Sequence, residues 1–198
     1  MKDFVASILK IFGFLAALPL IFVSVLAFWH QILLLPAAKE GCLLWGAGIY
    51  VGLNLFVYDF KDVYAFGKTQ IENLFTFFKP AGFLIPVYSV VLIIVYQILL
   101  ALGHVSLQPV FLFAIAFGLA MHVVQTAREI YTADNSFLKA HYLCTFGVVL
   151  IVSLFFISLL LAWAVGEYSL VGFIKAICAQ TGHFYKSIWK ALFVDSSV

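Results

Sequence analysis

Charge is what this sequence has least of. Only 10% of its 198 residues are Asp, Glu, Lys or Arg, against about a quarter in an average soluble domain, which excludes a large water-facing surface. A net charge of +2 with the basic residues dispersed leaves no electrostatic footprint for nucleic acid, so no such partner is expected. Cysteine is scarce too. Cys42, Cys144 and Cys178 stand far apart, with no C-x-x-C pair and no His at finger spacing, and read as buried small apolar residues rather than a metal or redox site. No G-x-S-x-G, G-x-x-x-x-G-K or G-x-G-x-x-G occurs, so the nucleophile elbow, the phosphate loop and the dinucleotide turn are all missing. No cofactor is expected.

What remains is apolar: 65% hydrophobic residues and a mean hydropathy of +1.14. This composition predicts an integral membrane protein whose partners begin with the lipid bilayer. At about 20 residues per crossing the chain holds about five helices and no second folded domain. Apolar runs place the crossings at 11–36, 41–58, 83–102, 109–124 and 142–165. The fold class is therefore all-α, a polytopic transmembrane bundle. The first run imitates a secretory signal, with Val25-Leu26-Ala27 as a cleavage site, but it continues to Leu35 and reads as a retained helix bent near Pro19. Gly48 and Gly52 form a G-x-x-x-G that lets two helix backbones approach closely.

Lys and Arg set the orientation. With the N-terminus inside a bacterial cytoplasmic membrane, Lys2, Lys10, Lys61, Lys68, Lys79, Arg128 and Lys139 are inside and Lys39 is outside. Five crossings put Lys175, Lys186 and Lys190 outside as well, against the rule. Residues 183–193 read as an interfacial amphipathic helix, with Phe184, Tyr185, Ile188, Trp189 and Leu192 on one side and His183, Lys186 and Lys190 on the other. If it lies on the inner surface instead, the number of crossings becomes even.

Polar residues within apolar runs are the candidates for function. Asn54 and Gln97 read chiefly as interhelical hydrogen-bonding residues. His122, Gln125 and Glu129 share one helix face at i, i+3 and i+7. They read as a histidine bonded to a neighbouring helix, or as a proton or metal site. His30, His104 and His141 fall near segment ends and carry no assignment.

Residues 60–79 are the other polar stretch. As a helix they gather Val63, Phe66, Ile71, Leu74, Phe75 and Phe78 to one side and Lys68, Glu72 and Asn73 to another, an amphipathic helix at the inner interface that needs no chemistry. The segment Tyr64-Ala65-Phe66-Gly67-Lys68-Thr69-Gln70-Ile71-Glu72 also resembles the zinc-binding helix of membrane-embedded metalloproteases of the site-2 protease class, with its F-G-H-E-x-x-H. Gly82 to Tyr88 is similar to a proline-and-tyrosine segment that follows that helix in some bacterial members. Phe117 to Thr126, with Asp134 beyond, is similar to their later helix, and the resemblance spans about residues 58–155. It places Lys68 at the first ligand position, Thr69 at the catalytic acid and Glu72 at the second ligand. Lysine repels zinc and threonine cannot serve as the carboxylate base, so the resemblance implies an inactive relative. An active enzyme would need unconventional ligands such as His122, Glu72 and Asp134.

The expectation is a non-catalytic membrane protein, either an accessory subunit of a membrane complex with other subunits as partners, or an inactive protease-like protein that holds a client helix. The alternative is a small transporter or proton-coupled carrier working through His122, Gln125, Asn54 and Gln97.

Overall fold

The computed structural model describes residues 2–77, 81–103, 105–134 and 140–193. Phe78, Lys79, His104 and Lys139 lie outside the described residues, as do the side chains of Lys2, Lys10, Asp134, His141, Cys144 and Leu192. Regular structure among the described residues is helical throughout, without strands: α1 Lys2–Leu33, α2 Ala37–Phe56, α3 Lys61–Leu74, α4 Ala81–Leu84, α5 Val87–Ala101, α6 Gln108–Asp134, α7 Ala140–Ala164 and α8 Leu170–Phe193, with a short 3-10 turn at Val105–Leu107. Stretches of α1, α6 and α7 (Gly13–Leu33, Gln108–Thr132 and Thr145–Ala164) are each long and apolar enough to cross a membrane.

Prolines and short polar side chains set several boundaries. Pro36 precedes α2, and its carbonyl accepts from the amides of Lys39 and Glu40 at 2.8 and 3.0 Å. At the other end Asp59 accepts from the Lys61 amide at 3.1 Å, and α3 departs at 119° to α2. The single run expected over 83–102 is broken. Pro86 has no amide hydrogen and disfavours helix at Ile85, so a one-turn α4 stops at Leu84 and α5 starts at Val87. α5 is then 15 residues, about 22 Å long at 1.5 Å per residue. Pro19, by contrast, does not end α1. α6 runs ten residues past the expected limit of 124, to Asp134, because Lys68 of α3 and Asp59 of the α2–α3 turn pair with its polar end.

Contacts fix how the helices run. α1 and α7 are parallel, with Gly147 against Ile21 and Phe14 and Leu154 in one apolar cluster with Ala27. α2 and α6 are parallel, joined at Gly46 with Phe113, at Tyr50 with Phe117 and at Asn54 with Gln125. α5 is antiparallel to α6: the Ser89 hydroxyl donates to the Ile115 carbonyl, while Tyr96 meets the Phe111 ring. Ile32, Leu43, Ile93, Leu112, Ile115 and Leu161 are buried where these helices meet. Trp45, Phe22, Leu55 and Phe56 are exposed on the outside, which suits a surface solvated by lipid rather than water.

Three expectations are corrected. The close approach on α2 is made by Gly46, where an added Cβ would lie 2.2 Å from the Phe113 carbonyl oxygen; Gly48 and Gly52 have nothing within 4 Å, because they face away from α6. Cys178 is exposed and Cys42 only half-buried. The terminal helix is 24 residues rather than the expected 183–193 and packs along α1: Gly172 lies beside Gln31, Phe173 beside Phe28, and the Tyr185 hydroxyl donates to the Ala16 carbonyl.

Candidate functional site

α3 is an amphipathic helix set at 119° to α2, and the residues it turns inward are Tyr64, Gly67, Lys68 and Ile71. Their spacing of three and four places them on one face. Gly67 accepts close contact from Val87 and Tyr88, where a Cβ would come within 2.6 Å of Val87, and the Tyr88 hydroxyl donates to the Val63 carbonyl at 2.5 Å. Gly82 brings α4 onto the same face, since a Cβ there would stand 2.7 Å from Lys68 Cγ and 2.9 Å from Glu72 Oε1. On α6, Gly118 lets α5 come close, since a Cβ there would stand 2.7 Å from the Ser89 hydroxyl oxygen.

Lys68 is the centre of this junction. Its ammonium donates to Glu129 of α6 at 2.5 Å, stands 3.6 Å from Glu72 one turn along its own helix, and lies 3.8 Å from the centre of the Phe83 ring. The lysine side chain is 13% exposed, Glu72 35% and Glu129 41%, so the carboxylates remain partly solvated while the cation is covered. One positive charge faces two negative ones, with a ring face adding cation–π attraction. Beside them, the Tyr64 hydroxyl and the Thr126 hydroxyl are hydrogen-bonded at 2.8 Å. His122 is 4% exposed, with its ring centre 6.0 Å from that of Tyr64 and its Nε2 buried without a hydrogen-bond partner. The space bounded by Tyr64, Lys68, Gly82, Pro86 and His122 has a volume of about 10 Å³, the size of a single water.

A second polar network lies one helix away. The Gln125 amide donates to the Asn54 side-chain oxygen at 2.9 Å and to the Tyr50 hydroxyl at 3.0 Å, while the rings of Phe60 and Phe117 cover Tyr50. Arg128 pairs with both carboxylate oxygens of Asp59 at 2.9 Å. Asn54 and Gln125 are therefore engaged with each other. Gln97 is elsewhere, donating across α5 and α7 to the Trp163 carbonyl at 2.7 Å.

The structure thus brings Lys68, Glu72, Glu129 and His122 together and separates Gln97 from them. Thr69 is exposed and bonded within its own helix to the Ala65 carbonyl at 2.9 Å, so it does not enter the junction. A zinc ion of the kind held by the metalloproteases that the sequence resembles does not fit these residues. The first ligand position holds an ammonium, and the carboxylates that would bind a metal are oriented on it. No catalytic step through a metal follows. Sequence reasoning missed Tyr64, Thr126, Tyr50 and Asp59, since a tyrosine, a threonine and an end-of-helix aspartate are common at such places; polar pairs recurring at one end of two long apolar segments were the available signal.

No family model, no curated protein and no solved structure matches the chain.

Proposed function

We propose that this chain is a non-catalytic helical membrane protein, an accessory subunit of a larger membrane complex, in which the Lys68 junction is a built-in charge lock. The ion pair between Lys68 and Glu129 carries this reading: a cation supplied by the chain occupies the centre that a catalytic or transport site would keep open for a metal or substrate. The single-water size of the adjoining space, about 10 Å³, supports it. A degenerate relation to the site-2 protease class fits the same geometry, since α3 and α6, the two segments that resemble the zinc-site helices, do meet at Lys68 and His122. In this reading the chain sits in a bacterial cytoplasmic membrane with the start of α1 inside, and α3 lies along the inner interface. α2 and α5 cross together with α1, α6 and α7, making five crossings before α8 is considered.

The test is gentle extraction at native expression level, followed by mass spectrometry of co-migrating proteins. Stoichiometric partners are expected, and retention of those partners by Lys68→Met would show that assembly needs no chemistry at residue 68. Recovery as a lone monomer overturns the subunit reading.

A proton-coupled carrier is the second reading, and one observation favours it: the buried, unpartnered Nε2 of His122. Loss of a measured flux in a normally folded His122→Ala variant would establish it, whereas no flux across a panel of ions removes it.

A further inference from the structure

The terminal helix does not lie across the bundle; it runs down the side of it. Its contacts with α1 pair Gly172 with Gln31, Phe173 with Phe28 and Tyr185 with Ala16. The register advances by 13 residues on α8 while it falls by 15 on α1, so the helices are antiparallel for about 20 Å at 1.5 Å per residue. Those contacts bracket most of the apolar stretch of α1, Gly13–Leu33. A helix at the membrane surface would touch α1 at one end alone. We infer that α8 is embedded in the bilayer alongside α1, that its outward face is covered by lipid, and that its lysines meet the phosphate groups of the two opposite leaflets.

The positions of those lysines support this occupant. Lys175 is near the Gln31 end, Lys186 and Lys190 near the Ala16 end, and α8 carries no acidic residue. From Lys175 to Lys186 the helix axis rises about 16 Å, and two side chains reaching outward in opposite directions extend that span toward the roughly 30 Å hydrocarbon thickness. Val171, Ile174, Phe184 and Ile188 are exposed around the same helix, as lipid contact requires. Gln180, His183 and Ser187 are polar side chains that this placement leaves facing outward, with the Ser187 hydroxyl donating to the His183 carbonyl of its own helix, a smaller cost than burying a lysine midway.

Charge asymmetry agrees. If α1 crosses from inside to outside, α8 returns to the inside, Lys186 and Lys190 join Lys2 and Lys10 there, and only Lys39 and Lys175 remain outside. The ion pair between Lys39, in the first turn of α2, and Glu167, at the α7–α8 turn, ties the α1–α2 and α7–α8 connections to the same side of the bundle.

The experiment uses the full chain in sealed membrane vesicles and its own exposed thiol. With Cys42→Ser and Cys144→Ser, Cys178 is the remaining cysteine, between Lys175 and Lys186. A photoactivated carbene probe dissolved in the bilayer is expected to insert into α8 around it, while a charged, membrane-impermeant maleimide applied from either side is expected to fail, because a thiol facing hydrocarbon does not ionise. Labelling by the impermeant reagent in intact vesicles overturns the inference, and absence of carbene insertion into α8 in vesicles where the other exposed helices are labelled overturns lipid as the occupant in favour of a protein. In a Cys178→Ser background, Lys175→Cys and Lys186→Cys are expected to react with the impermeant reagent from opposite sides; reaction from one side overturns the crossing. Lys61→Cys and Leu102→Cys, both exposed and outside α8, report separately whether the rest of the bundle spans the membrane.

Discussion

At the residue scale, what a glycine is worth depends on what faces it. Gly46 meets the backbone oxygen of Phe113 at 2.2 Å from an added Cβ, and two packed helices cannot separate locally without losing the contacts on either side. Gly46→Ala is therefore expected to destabilise the protein by about 1–3 kcal/mol, read from reversible unfolding in detergent. Gly48→Ala and Gly52→Ala, which meet nothing within 4 Å, are expected to stay within about 0.5 kcal/mol of the parent. Equal effects at all three positions would show that the G-x-x-x-G pair, not Gly46, makes the packing contact. At Lys68 the relevant quantity is a coupling. Lys68→Met leaves Glu72 and Glu129 without their shared cation, and a loss of about 1–2 kcal/mol is expected because both carboxylates retain solvent. A double-mutant cycle with Glu129→Gln should recover most of that loss, and strict additivity would mean that the ion pair contributes nothing.

At the element scale, α4 shows how a one-turn helix is held. It is short because Pro86 follows two residues after Leu84, and it stays in place because Gly82 sits on the aliphatic part of Lys68. The neighbour here is a flexible side chain, so Gly82→Ala is expected to cost less than Gly46→Ala, about 1 kcal/mol. It should also weaken the Lys68–Glu129 coupling in the same double-mutant cycle, whereas an unchanged coupling would mean that α4 does not position the lysine. α6 differs from its sequence expectation for a related reason. Its last ten residues are too polar to continue an apolar run, yet Arg128 and Glu129 each find an ionic partner on another element, so the helix persists beyond its hydrophobic stretch.

At the scale of the whole molecule, Lys39 and Glu167 connect turns that are 128 residues apart. The lysine ammonium at 2.7 Å holds the Glu167 carboxyl below the usual glutamate range, chiefly through its hydrogen bond, with the residue's own backbone hydrogen bond next. A carboxyl depressed in the folded state contributes its stability above its unfolded pKa and loses it as pH falls through the folded value. The stability gap between parent and Lys39→Ala is therefore expected to persist at neutral pH and close as the solution is acidified past that folded value, followed by thermal unfolding in detergent at several pH values. A gap that stays constant down to strong acid would mean that Lys39 acts through packing rather than charge.

Composition and local pattern determined a good deal unaided: helices long and apolar enough to cross a membrane, all-helical class, the cores of the long apolar segments and the list of polar residues that needed partners. These depend on solvation and on short-range periodicity, which a single chain displays along its length. The tertiary structure alone decided which polar residues meet. Lys68 and Glu129 are 61 positions apart, and nothing local in either segment records the other. The same holds for Gln125 with Asn54, for Gly46 in place of Gly48 and Gly52, and for α8, whose mixed polarity reads as a surface helix until its contacts from Gly172 to Tyr185 place it along α1. Side-chain pairing across helices depends on register and facing angle, and those are set only when the helices pack.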